Sequence, residues 1–79
     1  MTVHQRFAAW VASKGWSQHD AAREIGVSQA FVSGLMSGNK TVAGLAIALR
    51  IEELSRAWSA GPICAREWVH ESGTGTEVA

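Results

Sequence analysis

The side chains best placed for directed chemistry fall between Gln18 and Thr41. Ser28 and Gln29 stand side by side just after Gly26, and Ala30 and Ser33 follow at helical spacing. A carboxamide such as Gln29 donates and accepts hydrogen bonds at once, which complements the adenine edge in a DNA major groove. Ala30 suits contact with a thymine methyl, and the hydroxyls of Ser28 and Ser33 can meet a base or a phosphate. The groupings that catalysis needs do not stand out: no paired carboxylates, no nucleophile–base triad and no glycine-rich phosphate loop. His4, His19 and His70 have no ligand spacing with one another or with Cys64, so surface histidines are expected and no metal. The chain reads as a non-enzyme without a cofactor.

Helices must hold these groups, because the apolar residues recur at helical rather than alternating spacing and the single proline, Pro62, comes late. A first helix is predicted from about Thr2 to Ser13, with Thr2 as N-cap and Val3, Phe7, Trp10 and Val11 on one stripe. Ser17 caps a second, Asp20 completes its capping box, and Ala21, Ala22 and Ile25 face inward. Gly26 ends it, since glycine enters the left-handed conformation cheaply. Ser28 caps a third helix, Gln29 to about Ser37, with Val32 and Leu35 inward and Gln29, Ala30, Ser33 and Gly34 outward. A fourth is predicted from about Val42 to Trp58, with Leu45, Ala48, Ile51 and Leu54 facing the core. After a turn at Ser59 to Pro62, Cys64 to about Glu71 suggests a short fifth helix carrying Trp68 and Val69. The fold class is therefore all-α: a compact five-helix domain over residues 1–71, with 72–79 a flexible, glycine- and threonine-rich tail.

Residues 18–37 show a pattern that few other arrangements require. Two helices crossing steeply at a tight turn need a small residue where their backbones approach, supplied by Ala22. Four positions later they need one that tolerates a left-handed turn, which is Gly26. Apolar groups must then line the inner side of the second helix, as Val32 and Leu35 do. These offsets are those of a helix-turn-helix. The stretch WSQHDAAREIGVSQAFVSGLMSGNKT, followed by ALRIEELS, resembles the Cro/lambda-repressor-like (XRE-type) helix-turn-helix DNA-binding domains over roughly residues 3–58. That family is a standard example of groove docking, in which paired recognition helices read two half-sites. The resemblance implies that Gln18 binds a backbone phosphate at the start of the second helix. It implies the same for Asn39, Lys40 and Thr41 in the loop after the third. Gly34, unusual inside a recognition helix, is read as a site of close backbone approach to phosphate, the alternative being a glycine that is only tolerated there. No arginine or lysine falls between Gln29 and Ser37, so the usual strong reader of guanine is missing.

Composition sets the outer limits. With 79 residues, 47% of them hydrophobic and 18% charged, the chain is one small globular domain rather than a disordered segment. Seven basic residues balance seven acidic ones. Yet residues 1–50 carry five basic against two acidic groups, while 51–79 carry two against five. A positive face for phosphate and an acidic end turned away are expected from that asymmetry. Cys64 has no partner for a disulfide and is read as an apolar filler in a reducing, cytoplasmic setting. No apolar run approaches the roughly 18 residues of a membrane span. Trp10 and Trp16 are expected to finish the core, whereas Trp58 and Trp68 are expected as an exposed pair forming a homodimer interface, the alternative being that both fold back onto the fourth helix. The function expected is sequence-specific transcriptional regulation, by a Cro-like repressor of phage or mobile-element type that binds a pseudo-palindromic double-stranded DNA operator as a dimer. The alternative is an antitoxin or accessory factor that uses the same fold to hold a protein such as a toxin. Contact with RNA polymerase would turn repression into activation.

Overall fold

The computed structural model describes residues 2–42 and 44–71. Among them are five helices, α1 (Val3–Ser13), α2 (Gln18–Ile25), α3 (Gln29–Ser37), α4 (Leu45–Leu54) and α5 (Ala65–Glu71), and no strand. The tail expected at 72–79 lies outside the described residues, as do the side chains of Val69, His70 and Glu71.

Local side-chain chemistry starts the first three helices. Thr2 accepts from the Gln5 amide at 3.1 Å while the Gln5 carboxamide accepts from the Thr2 amide at 2.9 Å. The same reciprocal box joins Ser17 and Asp20, at 3.1 Å in both directions. Each box satisfies two amides that helix geometry orphans. The apolar stripes then meet in one core: Phe7, Trp10 and Val11 from α1, Ala21, Ala22 and Ile25 from α2, and Val32 and Leu35 from α3. Ala48 and Ile51 of α4 close it from the far side, with Ile63 and Trp68. Trp16 is half-buried and meets the Trp10 ring edge-on at 5.3 Å.

The structure departs from expectation at several points. Trp68 is fully buried, edge-on to Phe7 at 5.8 Å and to His4 at 5.7 Å, so it is not half of an exposed pair. His4 is not a surface residue: it is half-buried, with Nδ1 2.9 Å from the Leu35 carbonyl oxygen, and so ties α1 to α3. Helix α4 is shorter at both ends than its hydrophobicity suggests. Val42 is a buried residue of the preceding loop, Gly44 is the N-cap, and Leu45 stands 68% exposed rather than in the core. At the other end the buried Ser55 hydroxyl donates to the Ile51 carbonyl at 2.7 Å and accepts from the Ile63 amide at 2.9 Å. That pair of bonds folds the chain away from the helix axis. The positive face is also smaller than the charge count implies. Arg6 is occupied inside the protein by Glu67 and by the carbonyls of Gly61 (3.0 Å) and Pro62 (3.2 Å). Arg23 pairs with Asp20 at 3.1 Å, while Arg50 donates to the Glu24 backbone carbonyl at 3.2 Å and keeps its charge exposed.

Candidate nucleic-acid interface

Gly26 makes the corner. Its φ of 90° and ψ of 33° lie in the left-handed region, where a side chain would be strained. Its amide donates to the Ala22 carbonyl at 2.7 Å, and the Val27 amide donates to the same oxygen at 3.0 Å. One small, buried residue thus anchors both the end of α2 and the turn that follows. Half-buried Val27 packs against the core and fixes the entry to α3. Ser28 then sits in extended backbone, φ −78° and ψ 157°, and its Oγ accepts from the Phe31 amide at 3.1 Å. Accepting that bond leaves the hydroxyl proton free to donate outward.

This start points α3 in a defined way. Val32 and Leu35 are fully buried, while Ser28, Gln29 and Ala30 are exposed and Ser33 is half-buried one turn further on. The first three form a continuous wet edge at the N-terminal end, and neither the Gln29 carboxamide nor the Ser33 hydroxyl has a hydrogen-bond partner among the described residues. At the start of α2, half-buried Gln18 is the first helical residue. The Ser17 and Asp20 amides are taken by the capping box, so the amides of Gln18 and His19 remain for an outside acceptor. The Asp20 carboxyl lies below its ordinary value of 3.8, held there first by the Ser17 amide and then by the Ser17 hydroxyl. That end of α2 therefore carries a carboxylate, which Arg23 partly offsets.

The loop after α3 divides its candidates. Asn39 and Lys40 are exposed, and the Lys40 ammonium makes no ion pair among the described residues. Thr41 is half-buried, and its Oγ1 is enclosed without a hydrogen-bond partner among the described residues, so it does not face outward. Gly34, expected on the open side of α3, is buried beneath the Lys40 stem. Sequence reasoning missed this arrangement, and it also missed His4 and Arg6 as cross-links. Their partners, Leu35 and Glu67, are distant in the chain and leave no local pattern.

The described residues hold no group of three or more histidine, cysteine, aspartate or glutamate side chains able to bind a metal, and no helix long and apolar enough to cross a membrane. A protein-family model described as helix-turn-helix matches residues 8–54, more than half of the chain and the whole of α2 and α3. No curated protein and no solved structure matches.

Proposed function

This chain belongs to the helix-turn-helix family of Cro/lambda-repressor-like, DNA-binding transcription regulators, and on that premise we propose that it is a Cro-like repressor of phage or mobile-element type. The observation that carries the proposal is the division of α3: a fully buried Val32–Leu35 side against an exposed edge of Ser28, Gln29 and Ala30. A B-DNA major groove about 12 Å wide admits a helix presented that way. Gln29 would bond an adenine at N6 and N7, Ala30 would meet a thymine methyl, and Ser28 and Ser33 would complete the base contacts. Gln18 with its free amide, Asn39 and Lys40 would grip phosphates on either side and set the register.

A single short recognition helix reads few base pairs, so two copies are proposed to bind a pseudo-palindrome, with half-sites one DNA turn apart, about 34 Å. With Trp68 enclosed, Trp58 is the member of the expected pair left for a second copy to cover, although it too is half-buried, packed against the core with the Arg6 guanidinium 5.8 Å over its ring, so that only its remaining edge is open. The test is a footprint on the DNA immediately upstream of the protein's own gene. Two protected half-sites about one turn apart support the reading. A purified, folded protein that ignores duplex DNA at low ionic strength contradicts it and moves the chain to the partner-binding alternative.

A further inference from the structure

We infer that Gly34 is a positioning residue for DNA binding: its bare Cα is the seat on which the Lys40 side chain lies against the flank of α3. The inference rests on reading Lys40 as a phosphate ligand and deepens it. A Cβ built on Gly34 would fall 2.7 Å from both Cγ and Cδ of Lys40, and 3.1 Å from its Cβ. These atoms are the near part of the stem, so a modest swing of the ammonium would not clear the collision. Backbone freedom does not explain the glycine, since Gly34 is not among the residues with positive φ. Helix propensity disfavours it there. Close approach of another chain segment does explain it.

The backbone leads to the same residue. The Gly34 carbonyl accepts from the Gly38 amide at 3.0 Å, the Lys40 amide at 3.1 Å and the Ser37 hydroxyl at 3.2 Å. Gly38, at φ 89°, reverses the chain so that Lys40 returns over the helix it has just left. Both the main chain and the stem of Lys40 are therefore indexed to one position. Gly34 lies one turn along α3 from exposed Ala30, on the same flank. A lysine laid down in that way has fewer rotamers to lose on binding than one projecting freely into water. Its charge is held beside the edge of α3 that faces the groove.

The experiment compares the full chain with Gly34→Ala, Lys40→Ala and the double variant, measuring affinity for a nonspecific duplex across salt and the melting temperature of each. Lys40→Ala is expected to lower affinity about fivefold at 0.15 M salt and to flatten the log–log salt slope by about 0.9, the worth of one phosphate. Gly34→Ala is expected to reproduce both changes, and the double variant to add nothing. Were Gly34 merely structural, its substitution would lower the melting temperature while leaving the slope of the folded fraction unchanged. That result overturns the inference, as do additive losses in the double variant. An unchanged slope for Lys40→Ala alone sinks the phosphate reading, and with it the role in binding. The seat itself is read separately from stability: Gly34→Ala is expected to be better tolerated once the stem is removed. Equal melting-temperature changes in both backgrounds refute the seat. Should Gly34→Ala fail to fold beside lysine, the double variant is expected to fold, and its failure would refute it too.

Discussion

Gln29 draws its proposed role from what it lacks. Its neighbours on the inner side are spent on packing, while its own carboxamide is exposed and uncommitted. A good bidentate contact discriminates against the wrong base by about 1–3 kcal/mol. Gln29→Ala is expected to lose that much on a specific site and almost nothing on nonspecific DNA, measured by competition titration. Glu67 makes a different prediction at this scale. Burial would raise its carboxyl, but the Arg6 hydrogen bond, then the Cys64 amide and the nearby guanidinium charges, bring it below its ordinary value of 4.5. A carboxyl lowered by folding stabilises the native state above its unfolded value, and loses that contribution as pH falls through the folded one. Thermal melts should show Glu67→Gln less stable than the parent at neutral pH, with the gap narrowing below about pH 4.5. A gap independent of pH would contradict the assignment. Residues whose partners are near in sequence are legible from residue order alone: Thr2 with Gln5, Ser17 with Asp20, and Ser28 as a cap. His4 with Leu35 and Arg6 with Glu67 are not, because only the packed fold brings them together.

At the level of elements, the stop signals of α2 and α3 are written locally as Gly26 and Gly38, both left-handed in the structure. The end of α4 is not. A run of leucine, isoleucine and alanine continues the helical pattern towards Trp58, but the chain turns at Ser55, whose side chain serves as acceptor for a residue eight positions ahead. Serine inside a helix commonly bonds back to the preceding turn. Here the additional bond to Ile63 turns that local habit into a corner. Ser55→Ala leaves the buried Ile63 amide without its acceptor and is expected to cost about 1–3 kcal/mol in chemical denaturation. A loss within error of zero would show that the corner is held by the apolar contacts alone. Leu45 fails as a core residue for a related reason. Once Gly44 starts α4, it is Ala48 and Ile51 that face inward, and Leu45 and Leu49 turn outward at 68% and 50% exposure.

For the whole molecule, formal charge is the least informative feature. The excess of basic residues before position 51 is real, but Arg6 and Arg23 are paired with Glu67 and Asp20. Lys40, in the loop after α3, makes no ion pair among the described residues, and a chain of zero net charge relies on the placement of such groups more than on overall field. A shallow salt dependence follows for one copy and a steeper one for two on the same duplex. Sedimentation with and without DNA is expected to show two copies on a full operator, with Trp58→Ala weakening assembly while leaving the helical content intact. Unaltered assembly would remove Trp58 from the interface. Base reading by the outward edge of α3 is checked by selecting bound sequences from a random duplex pool, with the parent chain and Gln29→Ala run in parallel. The parent should enrich a two-fold-related motif with an adenine at one position of each half, and the variant should keep the motif while losing preference at that position alone. Identical motifs from both proteins, or no enrichment by a folded parent, would contradict it.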